Sequence, residues 1–115
     1  LEALSAQDGK DNAAVAEFYL LDENGKPLSR QHWKIEYADS ESTSWGNFTA
    51  DKIYDLQEST YWSTRDGDKY PHRFVINLGE DVKVSGFRYL PRAEESYPGM
   101  IKKYKAYVKS TPFNF

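Results

Sequence analysis

The chain has 115 residues, a formal net charge of −3 and no cysteine. That length suits one domain with one modest core. Mild acidity leaves no broad basic face for a phosphate backbone, so nucleic acid is not an expected partner. The lack of thiols excludes a disulfide framework and thiolate chemistry. Aromatic residues reach 16%, with nine Tyr and three Trp; such rings fill β cores or form surfaces that stack on other rings.

In chain order, "AVAEFYLLD" reads as a strand ending at "ENGK", where Asn24-Gly25 suits a tight turn. "WKIEYADS" alternates, with Trp33, Ile35 and Tyr37 on one face and Lys34 and Glu36 on the other. Residues 41–49 form a polar loop carrying Trp45, which has no obvious apolar neighbour in the sequence. "ADKIYDLQEST" suits one short helical turn followed by a loop. "HRFVINLG" alternates again, placing Phe74, Ile76 and Leu78 together. In "VKVSGFRYL" the alternation shifts phase at Gly86, which predicts a β-bulge. A turn is expected at Pro98-Gly99, and in "KKYKAYVKS" Tyr104, Ala106 and Val108 share a face. Short strands punctuated by turns, without a long amphipathic helix, predict an all-β antiparallel sandwich. No apolar run approaches the roughly 20 residues of a membrane span, and no signal peptide is visible.

Catalytic signatures are missing. His32 and His72 lie far apart, no nucleophile elbow is present, and Glu58, Glu94 and Glu95 read as solvated loop charges. Zinc is poorly served by two scattered His. The run "IYDLQESTYWST" could be a catalytic acid loop, a metal loop or a buried corner. Asp55 offers a carboxylate and Thr60 a hydroxyl to a hard cation such as calcium, while "DGKDN" near Asp8 reads as a solvated turn. Of Tyr61 and Trp62, one belongs to the core. Trp45, Arg65, Tyr70, His72, Arg92 and Tyr97 fall in loops or at strand edges, where rings and hydrogen-bonding groups can converge on a sugar. The competing reading makes His72 and Arg92 structural hydrogen bonders and packs Tyr70 and Tyr97 on loop stems. "NFT" at Asn47 fits a glycosylation sequon, a common chance tripeptide.

The succession "ADKIYDLQESTYWST", "YPHRFVINLGE", "VSGFRYLPR", "PGMIKKYKAYV", spanning Trp33 to Val108, resembles the coagulation factor V/VIII type C, or discoidin-like, domains. Within them it is most similar to family 32 carbohydrate-binding modules, of the kind attached to chitobiase-like glycoside hydrolases of Bacteroides-type bacteria. The resemblance implies a galactose-binding-like jelly-roll sandwich with no catalytic activity of its own. Its partners would be a glycan (galactose- or hexosamine-type) and an appended glycoside hydrolase, in an extracytoplasmic location. It implies a structural calcium held by Lys52, Asp55, Gln57 and Thr60, ahead of Trp62, and by an Ala-Glu pair matched by Ala16 and Glu17. Leu56 stands where the family has Gly. For sugar it implies Arg92, with Trp45, Arg65 and Tyr97 as further contributors from variable loops; His72 joins the candidates from its place at a strand edge. Pro98 and Ser63 replace an Asn and a His, which weakens galactose as the ligand.

In the family the Ala-Glu pair lies on the closing strand, whereas here it lies near the beginning. Residues 1–28 therefore resemble a closing strand, and residues 29–115 the body of the sandwich. Three explanations stay open: a permuted domain completed by residues 1–28, the tail of a preceding module, or an added strand. A structural or protein-docking role is the alternative to sugar binding. Membrane binding ranks last, for want of an apolar-tipped basic loop.

Overall fold

The computed structural model describes residues 1–93 and 98–114. Their strands are β1 (Glu2–Ala6), β2 (Ala14–Val15), β3 (Glu17–Leu21), β4 (Lys34–Ala38), β5 (Trp62–Ser63), β6 (His72–Asn77), β7 (Gly86–Leu90) and β8 (Ile101–Lys105). A 3₁₀ turn at Ala50–Tyr54 is the helical element among them. All pairings are antiparallel, giving an all-β sandwich. One sheet runs β4-β6-β1-β8; β2 pairs with β5, and β3 with β7. Among the described residues no helix is long and apolar enough to cross a membrane.

Alternation explains the registers. Ile35 of β4 lies opposite Ile76 of β6, and Phe18 of β3 opposite Tyr89 of β7. The two layers meet where Phe18 packs edge-on against Phe74 of β6, with ring centroids 5.2 Å apart. Trp62 also meets Phe74 edge-on at 5.4 Å, and its indole N–H donates to the Ser40 carbonyl at 2.9 Å. Each fully buried ring of this kind contributes about 1.5–3 kcal/mol by area, and each ring pair about 0.5–1.5 kcal/mol more. Residues 1–28 share this framework: β1 lies between β6 and β8, and Val15, Phe18 and Leu20 belong to the same apolar cluster as Trp62 and Phe74.

Two local expectations are corrected. Gly86 begins β7 rather than bulging within a longer strand, because Val82 to Ser85 lie outside any strand. The register irregularities fall instead in β4, between Ile35 and Tyr37, and in β1. β8 stops at Lys105, so Tyr104, Ala106 and Val108 do not share a buried face; Tyr104 and Val108 are exposed.

Candidate functional site

Residues 42–48 form a loop tied to β5 at both ends. Ser42 N–H donates to the Ser63 carbonyl (2.8 Å), and Ser63 N–H donates to the Phe48 carbonyl (3.1 Å). Phe48 N–H closes the loop on the Ser42 carbonyl at 3.0 Å. Gly46 leaves room for the Phe48 ring, which a Cβ would meet at 2.4 Å. The pinned loop holds Trp45 against Phe48, with centroids 4.4 Å apart. Phe48 in turn stacks on Tyr61 at 4.8 Å and 17°. The Arg92 guanidinium covers the Tyr61 ring at 4.5 Å. Trp45, Phe48, Tyr61 and Arg92 thus form one continuous ridge, and Trp45 at its end is 60% exposed. An exposed indole backed by Phe48, itself stacked on Tyr61, keeps its orientation, so little side-chain freedom is lost when another ring-shaped molecule stacks on it.

The second feature is the loop after the 3₁₀ turn. Asp55 accepts from Gln57 N–H at 3.0 Å and from the Thr60 hydroxyl, which also lies 3.2 Å from the Gln57 carbonyl. Glu17, only 1% exposed, faces this loop from β3. One of its oxygens accepts from Arg30 Nη1 at 2.9 Å, while the other, Oε2, is buried without a hydrogen-bond partner among the described residues. Burial raises the Glu17 pKa; Arg30 pulls it down, and the neighbouring Asp55 carboxylate adds to the rise. A buried, unpartnered carboxylate oxygen beside a second carboxylate is a donor set that a hard cation satisfies. Among the described residues no three His, Cys, Asp or Glu side chains gather as a metal-binding group. A cation here would therefore rely on Glu17, Asp55, the Thr60 hydroxyl and backbone carbonyls. Lys52 lies in the 3₁₀ turn and Ala16 in the bend before β3.

The sequence model of the F5/8 type C domain family matches residues 31–115. The chain belongs to that family, the discoidin-like domains. β1, β2 and β3 precede the matched span of the discoidin-like domain. A sialidase from Micromonospora viridifaciens is 31% identical over 85 residues, which is 70% of this chain but 13% of that protein.

The discoidin-like domain treats its other candidate residues differently. His72 is drawn inside: its ring is 1% exposed, Nδ1 lies 2.9 Å from Asp39 Oδ2, and Nε2 lies 2.7 Å from the Asp11 carbonyl. With an acceptor at each nitrogen, the protonated ring can donate twice. Burial opposes that charge, yet the Asp39 carboxylate and the Asp11 carbonyl outweigh it, so the His72 pKa is raised. Arg65 stays exposed, bonded to Asp68 at 3.0 Å and outside the ridge contacts. Tyr70 donates to the Asn12 carbonyl at 2.7 Å. Tyr97 lies outside the described residues. Trp45, expected to lack an apolar neighbour, has Phe48 three positions on; Phe48 and Tyr61 were missed as site residues. The Trp-x-x-Phe spacing, and Tyr61 pointing away from the fully buried Trp62, were the available signals.

Proposed function

We propose that this discoidin-like domain is a non-catalytic carbohydrate-binding module that tethers an appended glycoside hydrolase to glycan outside the cytoplasm. The observation that carries this reading is the supported, exposed Trp45 at the end of the Trp45–Phe48–Tyr61–Arg92 ridge. An aromatic face such as that of Trp45 stacks on the C–H face of a pyranose, and the Arg92 guanidinium lies farther along the same ridge, over Tyr61. Such a site gives modest affinity, which becomes useful when attachment raises the local concentration of an enzyme on a polymeric substrate. Similarity to a small part of a protein named a sialidase supports a glycan-processing context. Galactose- and hexosamine-type glycans, as would suit a chitobiase-like enzyme, are the candidates to screen.

A structural calcium at Glu17, Asp55 and Thr60, with the Ala16, Lys52 and Gln57 carbonyls, completes the proposal. The buried, unpartnered Glu17 Oε2 supports it. If so, residues 1–28 and 29–115 act as one domain, since Glu17 comes from the first part and Asp55 from the second; the pairing of β1 and β3 with later strands supports this. A second reading, a protein-docking module, draws on the exposed Tyr104, Tyr107 and Val108 along and beyond β8.

A glycan array probed with the wild type and Trp45→Ala, in calcium and in EDTA, tests the reading. Binding by the wild type that disappears in Trp45→Ala supports it. A folded protein that binds no glycan in either buffer favours docking.

A further inference from the structure

The geometry points to a second binding site, away from the aromatic ridge: a cleft floored by Arg30 that takes the carboxylate of an acidic sugar. The cleft measures about 370 Å³ and is lined by Leu28, Ser29, Arg30, Gln31, Tyr54 and Leu56. That is the lower end of the range for small-ligand pockets, so it suits one sugar unit rather than a longer segment.

Leu56 is the first clue. It is the one non-glycine residue among the described residues with positive φ, at 64°. Leucine is less stable than glycine in that conformation. At 80% exposed it gains almost no burial in return. The side chain therefore does little for the fold, and a role at the cleft wall explains its presence.

Arg30 is the second. Its side chain is 10% exposed, and Nη1 alone makes all its hydrogen bonds among the described residues: to Glu17 Oε1 at 2.9 Å, the Phe18 carbonyl at 3.2 Å and the Ile53 carbonyl at 3.3 Å. The guanidinium also lies over the Tyr19 ring at 4.4 Å. These contacts fix the plane of the fork. Among the described residues Nε and Nη2 make no hydrogen bond, and neither is among the buried atoms left without a partner. A rigid guanidinium edge with two available N–H donors matches the two oxygens of a carboxylate. Leu28, Tyr54 and Leu56 supply apolar surface for the C–H face of the ring that bears it.

Glu17 and Asp55 are the charges that oppose a bound anion, Glu17 lying on the Nη1 side of the fork. A divalent cation on that pair would offset them, so binding should tighten in calcium. That clause rests on the calcium reading; the cleft itself does not.

The test is calorimetry with methyl β-D-glucuronide against methyl β-D-glucoside, which differ in the C6 carboxylate, in CaCl2 and in EDTA. A Trp45→Ala background removes the ridge, so failure of the glycan reading would not obscure the result. The glucuronide should bind in at least one buffer, and the glucoside at least about tenfold more weakly. Leu56→Gly should melt no lower than its parent yet bind the glucuronide about tenfold more weakly, having lost one apolar wall. Tyr54→Ala should weaken it too, and Arg30→Lys should erase the preference; if Arg30→Lys fails to fold, the other two variants decide. Equal binding of both glycosides, no binding in either buffer, or undiminished affinity in Leu56→Gly would overturn the proposal. Equally tight binding of N-acetylglutamate would overturn the sugar assignment in favour of acidic peptides.

Discussion

His72 should act as a charge-dependent pin, and stability against pH can expose it. The ring stands between Asp39 at the end of β4 and the Asp11 carbonyl of the loop before β2, with Tyr70 packed 4.6 Å away. Asp39 is itself held by Arg73 N–H at 2.6 Å. A neutral imidazole can donate to only one of its two acceptors, so deprotonation loses one hydrogen bond to a charged ring, worth about 1.5–3 kcal/mol. The folded pKa is raised above the ordinary 6.5, so the unfolded state gives up this proton first as pH rises. The contribution is therefore fully present below about pH 6.5 and is lost as pH climbs through the raised folded value.

The quantity to read is the difference between the wild type and His72→Gln. Urea unfolding from pH 5.5 to 8.5 should show His72→Gln destabilised by about 3 kcal/mol at the acid end, with the gap narrowing by about 1.5–3 kcal/mol toward the alkaline end. A gap that stays constant, or widens with pH, would refute the doubly donating ring.

Three further outcomes are expected. Gly46→Ala should leave the melting temperature within a few degrees but displace Phe48, whose ring the new Cβ would meet at 2.4 Å, and weaken glycan binding about tenfold; unchanged affinity would remove the loop from the site. Calcium at 100 times its Kd should stabilise the wild type by about 2.7 kcal/mol, and Glu17→Gln should lose most of that gain; an equal gain in both would place the cation elsewhere. Gly99→Ala should cost about 2 kcal/mol in urea unfolding, because Gly99 has φ 76° and its Cβ would stand 2.8 Å from Ala14 N; a smaller loss would mean that β2 and the Pro98-Gly99 turn part easily.

The fold was legible wherever one face of a strand is buried. β4 and β6 alternate plainly because Ile35, Phe74 and Ile76 pack inward while Lys34, Glu36 and Arg73 meet solvent. The same rule failed at Val82 and Val84, which alternate in the sequence but lie in no strand. It failed again beyond Lys105, where alternation continues without a facing layer among the described residues. The Asp55 loop was legible through its side chains, but Arg30 was not. Its bonds to Glu17, Phe18 and Ile53 join segments that the sequence keeps 12 to 23 residues apart. His72 shows the same limit from the other side. A histidine at a strand edge reads as a ligand-facing group, and only the folded chain brings Asp39 and Asp11, 33 and 61 residues away, onto its two nitrogens.

The most direct test of the central claim is the affinity of the folded domain for its best array glycan, measured by calorimetry for the wild type and Trp45→Ala. Removing a supported indole that stacks on a sugar should reduce affinity at least about tenfold, with no change in melting temperature because Trp45 is mostly exposed. Equal affinity in the two proteins would contradict the ridge as the site, and binding to no glycan at all would contradict the function itself.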